Sequence, residues 1–327
     1  MRMSDQCQVY KATASRKEPT GRAGRRAGPG GGEEEAWKRS GNAAARARET
    51  VLPSGDGLDL GRRLIQGVDY HLRQTRDGGD LFLTRFGLPF AGQLHPENWL
   101  DSPWFETHRR RLRGTSAIYR TQTKPVEGRA LDLVVRFSRV GEDVPVDTVT
   151  RGQQPDAEFN SPFEEVAALM ALRAARFGPG RRRIPTKRPL AIYAPPTRMQ
   201  LWQTGRSESR MAAKQARLPE IALDIRRTYV LVYAWIRGMD AEDAVEHIAL
   251  PREGHEKFHG EIVAEVEADL AQAGFRMLDL KPAHILVRFN PDGGLVRHRD
   301  GRLVYALIDY ELLERTKGGG PGLVVAT

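Results

Sequence analysis

Apolar positions recur along this chain with different periods, and each change of period marks an element. Up to about residue 55 there is almost no apolar periodicity, and nine glycines fall before residue 58, among them Gly28 and Gly30 to Gly32. Such a composition cannot bury a core, so a disordered basic tail over 1–55 is expected. Tyr70 to Leu72 and Leu81 to Leu83 then flank Asp77-Gly78-Gly79-Asp80, the pattern of two short strands about a tight turn. Leu88 to Trp104 holds three prolines and two tryptophans and reads as an ordered irregular segment, so 56–106 is expected to be irregular. ALDLVVRF, from Ala130 to Phe137, is a strand, and Leu190 to Tyr193 is a shorter one. Tyr229 to Trp235 is almost wholly apolar, as a strand covered on both faces must be.

Two segments carry a helical period. Ser161 is an N-cap, Pro162 suits the first turn and Glu164 completes a capping box, which starts a helix running to Ala175. Phe163, Val166, Ala167, Met170 and Ala174 form its apolar stripe, and Gly178-Pro179-Gly180 stops it. Glu261 to Ala273 repeats the pattern with Ile262, Val266, Leu270 and Ala273, and Gly274 supplies the C-cap. Asp240 caps a third helix, with Asp243 three residues on, whereas Gln203 to Ala216 is polar and reads as a loop or an exposed helix. Near the C-terminus, Ile285 to Val287 and Leu303 to Ile308 are strands joined through the Gly-, Asp- and Arg-rich stretch Asn290 to Arg302.

Composition narrows the class. At 327 residues, with 28% charged and 40% hydrophobic residues, the chain suits one large or two small globular domains. Its one cysteine, Cys7, excludes an internal disulfide framework and fits a reducing, cytoplasmic setting. No run of 18 apolar residues exists, so no transmembrane segment is expected. The net charge is +9, and residues 1–50 hold 11 Lys/Arg against 6 Asp/Glu, an excess of five. Such charge suits acidic partners, whether nucleotide, nucleic acid or anionic glycolipid, without choosing among them.

The candidate chemistry lies in Arg276 to Glu314. A hairpin over 285–308 brings Asp279, His284 and Asp309 towards one end, with Lys281 two residues after the first acid. Convergent acids, a third polar group and a lysine can hold a divalent cation and a phosphate chain. Taken singly, each residue also has a plainer reading, as a turn-capping acid or a strand-start histidine.

The segment DLKPAH, an apolar strand and then Ile308-Asp309-Tyr310 resembles the catalytic loop and metal-binding segment of the protein-kinase-like superfamily. The resemblance extends over about residues 107 to 316. It implies an α+β, bilobal protein-kinase-like fold with an antiparallel-sheet small lobe (107–238, including the hinge) and a minimal helical large lobe (239–327). It makes Asp279 the catalytic acid, Lys281 the phosphate-contacting lysine, and His284 and Asp309 the metal ligands. His284 stands at the family's asparagine position, an exchange similar to that in lipopolysaccharide core sugar kinases. Gly114, Thr115 and Ser116 take the place of the glycine loop, with one glycine instead of two or three. Arg136 stands where the family has a small-lobe lysine, with Glu165 as its helix partner, and Ala234 and Trp235 begin the adenine-reading link. Only 18 residues follow Asp309, so a partner protein completing the large lobe is a further expectation, with Glu311 and Glu314 as substitutes for missing contacts. The implied function is an ATP- and Mg²⁺-dependent (or Mn²⁺-dependent) phosphotransferase acting on a hydroxyl of a small molecule, sugar or protein. The alternative is a pseudokinase that binds nucleotide weakly or not at all, motivated by Arg136, His284 and the single loop glycine. Nucleic-acid binding has no zinc-site or helix-turn-helix spacing to support it.

Overall fold

The apolar strands of the first two-thirds of the chain become neighbours in one antiparallel sheet. The computed structural model describes residues 58–114, 116–144, 157–177, 183–248 and 250–316. They belong to the compact unit Gly55–Thr327; the tail reading for 1–55 falls outside them, as does Thr115. In chain order the elements are β1 (Leu58–Ile65), β2 (Val68–Gln74), β3 (Asp80–Leu83), α1 (Ser102–His108), β4 (Arg110–Arg111), β5 (Ile118–Gln122) and β6 (Asp132–Phe137). They continue with α2 (Pro162–Arg173), β7 (Pro189–Ala194), α3 (Leu201–Thr204), α4 (Glu208–Ala216), β8 (Val230–Ala234), β9 (Met239–Asp240), α5 (Ala241–His247) and α6 (Arg252–Gln272). The last are β10 (Phe275–Met277), β11 (Ile285–Val287), β12 (Tyr305–Leu307) and β13 (Leu313–Arg315). The fold is α+β, and its main sheet has eight strands in the order β1-β2-β3-β7-β8-β6-β5-β4.

Alternation decides what covers this sheet. Phe82 of β3, Val134 of β6, Ile192 of β7 and Leu231 of β8 are buried in the core that also holds Phe163, Val166, Leu169 and Leu172 of α2. Phe163 meets Tyr70, Phe82 and Tyr229 edge-on, with centroids 5.8, 5.1 and 6.4 Å away, a favoured geometry for aromatic quadrupoles. The residues between these strand positions, such as Leu81, Leu133 and Tyr193, point to the opposite face. There Trp99 packs edge-on against Tyr193 at 6.0 Å, and Phe105 of α1 against Tyr119 at 5.5 Å. The segment after β3, with two short 3₁₀ turns at Leu88–Phe90 and Pro96–Asn98, thus caps the face away from α2.

The 56–106 segment, expected to be irregular, supplies β1, β2 and β3 of the main sheet and most of α1, and two elements differ further. The strand β1 had no signal, because seven of its eight residues are exposed and only Ile65 is buried. It exists through its ladder with β2, interrupted by a register shift between Asp59 and Arg62. Helix α6 starts at Arg252, nine residues before the apolar period begins. Its first turns, with Gly254 and Gly260 and only Phe258 reaching the core, carry no apolar stripe and are held by contacts instead of by period. His259 Nε2 lies 3.1 Å from the Ala241 carbonyl oxygen, which holds this polar half against α5. The polar stretch after Gln203 contains α3 and α4, separated by Gly205 in the left-handed region at φ 66°. No helix among the described residues is long and apolar enough to cross a membrane.

Candidate functional site

Two short loops face each other because the chain is laddered at both of their ends. On one side β10 pairs with β13, and the Leu278 N–H donates to the Leu312 carbonyl at 3.1 Å. On the other, β11 pairs with β12, and the Ile308 N–H donates to the His284 carbonyl at 3.1 Å. Residues 279–283 and 309–311 are therefore held side by side. His284 ends a 3₁₀ turn at Pro282–His284, and its Nε2 lies 3.3 Å from Asp309 Oδ2. Its Nδ1 is buried with no hydrogen-bond partner among the described residues. Asp279 accepts a hydrogen bond from Lys281 Nζ at 3.1 Å, and this pair is open to solvent.

Beneath these loops lies a buried charge cluster. Arg136, on β6, forms ion pairs with Glu165 of α2 and with Glu311; the three are 5%, 1% and 6% exposed. The capping box explains why Glu165 is available. Ser161 Oγ accepts from the Glu164 N–H at 3.2 Å and Glu164 Oε2 from the Ser161 N–H at 2.8 Å, so the next acid is free to turn inward with Leu169 and Leu172. Tyr233 also donates its hydroxyl to Glu165. Glu311 is held on its other side by Ser116, whose Oγ is 2.7 and 2.9 Å from the two carboxylate oxygens. The Asn160 N–H donates to the Glu311 carbonyl at 2.8 Å, and the Asn160 side chain donates to the carbonyls of Tyr310 and Leu313. The N-terminus of α2 and the 309–313 segment are thereby one fastened unit.

Electrostatics follows from this crowding. Burial opposes charge on Arg136, but Glu165 and Glu311 outweigh it and hold the guanidinium protonated. Burial also works against an ionised Asp309, yet His284, Arg136, the Glu311 N–H and Lys187 bring its carboxyl down to about 2. Glu311 moves the other way. Burial, with Asp309 and Glu165 nearby, pushes it up against the pull of Arg136 and Ser116.

Lys187 is the member of this cluster that sequence reasoning missed. It is 3% exposed, and its ammonium sits over the rings of Tyr233 and Tyr310 at 4.9 and 5.4 Å. Burial and then Arg136 lower it to about 8, partly offset by Asp309, Glu165 and Glu311. Its N–H donates to Tyr310 Oη at 2.8 Å, which locks the residue after Asp309 to the entry of β7. In the sequence it stands in the basic run Arg181 to Arg188, which reads as a solvated face. The one available signal is position: two residues before an inward-facing strand start, its side chain has to turn into the core.

The other candidates fall around this cluster. Gly114 and Ser116 lie in the connection between β4 and β5, Gly114 at φ 140°, a backbone angle that favours glycine. Arg111 donates to the Ser116 carbonyl at 2.7 Å, and Arg113 reaches Asp243 of α5 at 2.6 Å in an exposed pair. Ala234 and Trp235 end β8, but their N–H groups already donate to the carbonyls of Arg188 and Asp132, each at 3.0 Å. Among the described residues, no group of three or more His, Cys, Asp or Glu side chains is arranged to hold a metal ion. Asp309 and His284 offer one hard oxygen and one nitrogen. A divalent cation taking a single protein carboxylate and completing its shell from phosphate and water is compatible with that donor set.

A scan against protein-family models finds no match, and no curated protein matches the chain. Among solved structures the chain is similar to one described as WaaP in complex with acyl carrier protein, at 13% identity and a TM-score of 0.30. The match covers 65% of this chain and 66% of that one, just under two-thirds. A likeness at that level decides nothing about fold or activity.

Proposed function

We propose that the chain is a phosphotransferase of the protein-kinase-like kind, using ATP and a divalent cation to phosphorylate a hydroxyl. The observation that supports this best is the buried Arg136–Glu165 pair, joined through Glu311 to the loop that carries Asp309. A strand cation and a helix acid, distant in sequence, meet Glu311 two residues after Asp309, while Lys281 pairs with Asp279 and His284 with Asp309. In this reading residues 107–238 are the small lobe and link, 239–327 are a reduced large lobe built on α5 and α6, and 56–106 extend the small lobe. A protein partner completing the large lobe belongs to the same proposal, as does a reducing, ATP-supplied compartment.

The roles follow from chemistry. Asp279, open to solvent, orients the acceptor hydroxyl and takes its proton. Lys281 neutralises charge on the transferring group, and Gly114, Thr115 and Ser116 offer backbone N–H and hydroxyl donors to phosphate. Arg136 faces the phosphates from below, as a fork instead of the compact ammonium of a lysine. Because the Ala234 and Trp235 amides are engaged, the adenine edge is read from the carbonyl side of that link and from the residues after it. Asp309, with His284 beside it, holds the cation, which when bound screens the phosphate charge.

A second reading, a pseudokinase, draws on the two carboxylates that already occupy Arg136. Thermal shifts with ATP and ADP, each with Mg²⁺ or Mn²⁺, test the nucleotide site on wild type and Asp309→Ala. The wild type should show a metal-dependent shift that the variant loses. A variant shift equal to that of the wild type removes Asp309 from the site. Turnover abolished in Asp279→Asn supports the phosphotransferase, whereas Mg-ATP binding with no turnover that depends on Asp279 favours the pseudokinase.

A further inference from the structure

Arg136 and Ser116 converge on a single carboxylate. A guanidinium from β6 and a hydroxyl from the loop before β5, both buried, aim at the two oxygens of Glu311. Buried donors of these two types meeting at one point form an oxyanion-recognition site. Its occupant here is a side chain of the same chain. That occupant has poor company, because Asp309 is two residues away and Glu165 shares the same guanidinium. Its backbone is pinned by Asp309 Oδ1, which accepts the Glu311 N–H at 3.2 Å, and by the Asn160 N–H. Because those contacts hold the backbone, displacing the carboxylate would require a change only in the three side-chain torsions of Glu311 and not in the Asp309 loop.

We propose that Glu311 is an internal competitor for the phosphate position. A nucleotide's phosphate chain, or another oligophosphate, displaces its carboxylate from Ser116 and Arg136, and without ligand the Glu311–Ser116 contact closes that position. The nucleotide part rests on the phosphotransferase reading; the anion site itself does not. The closed form accounts for the arginine on β6. A guanidinium has donors enough to keep Glu165 on one arm while exchanging Glu311 for a phosphate oxygen on the other.

Calorimetric titration of Mg-ATP and of inorganic tripolyphosphate into wild type, Glu311→Gln and Glu311→Asp tests this. The glutamine keeps the shape and removes the charge. The aspartate keeps a negative charge to balance Arg136 but withdraws it by one methylene, which preserves folding if the glutamine does not. Losing one charge-assisted competitor should tighten both ligands about tenfold in Glu311→Gln, with a smaller gain in Glu311→Asp. Unchanged or weaker binding of both ligands in both variants overturns the proposal. Wild-type ATP binding that neither variant improves rejects the competitor and leaves the nucleotide reading standing. Tighter tripolyphosphate with no ATP binding in any form keeps the anion site and removes the nucleotide. No binding of either ligand by any form rejects both.

Discussion

Arg136→Met should lower the stability of the chain by about 3–5 kcal/mol, the usual cost of breaking a buried pair by removing one partner. The side chain neutralises two carboxylates at once, Glu165 and Glu311, and among the described residues neither has another cation in hydrogen-bond contact. Methionine fills the volume but leaves both charges in a medium that solvates them poorly. Glu311, already raised by burial and its acidic neighbours, would be raised further in the folded variant. Stability from such groups is present at low pH and lost as pH rises, so the deficit should be larger at pH 8 than at about pH 5. Adding Glu165→Gln and Glu311→Gln should restore most of the loss, since a neutral cluster of similar volume has no unpaired charge. Denaturant unfolding at the two pH values measures both effects. A single-variant loss under about 1 kcal/mol would mean that the cluster is wetter than its burial implies.

The unfolding free energy should also rise between pH 8 and pH 10 because of Lys187. Its folded value is about 8 against an ordinary 10.5, so in this window the unfolded chain binds more protons than the folded one. The cost of burying the ammonium is fully present below pH 8 and is relieved as the lysine loses its proton in the folded state. The slope is about half of 1.4 kcal/mol per pH unit at pH 8 and below the full value again near pH 10, so the rise over two units is about 2 kcal/mol. Above pH 10 Tyr70, Tyr233 and Tyr310, displaced upward by burial, work in the opposite direction, which bounds the useful range. Lys187→Met should flatten the profile. An identical rise in that variant assigns the dependence to another group.

How much of this was legible depends on whether a feature is local. Helix α2 could be read to its first residue, because Ser161, Pro162 and Glu164 each act within one turn. The central strand β8 was visible as an unbroken apolar run, since it is covered on both faces. What escaped depends on partners that the apolar pattern does not report, some adjacent and some far along the chain. The strand β1 shows no alternation and is specified by β2, and the first turns of α6 show no stripe. Lys187 has the composition of a surface residue and the environment of a core one. Glu311, assigned only a substitute role, meets Arg136 across 175 residues of sequence, and no spacing rule reports such a contact.

The three strands ahead of α1 have a further effect on the sheet. Without them β7, whose six residues are all buried, would be a flat apolar border with its backbone unpaired on one side. With them the border is β1, which is kinked at a bulge, pairs its Arg62 with Asp69 of β2 and sets Arg62 and Arg63 among the exposed Leu58, Leu60 and Leu64. Charge and irregularity on an outermost strand discourage a second molecule from adding to it. A shortened version beginning near residue 107 would keep every proposed catalytic side chain yet present that bare border to solvent, and would be prone to assemble with itself. Strands β1 to β3 therefore belong to the working unit, although no proposed site residue lies on them.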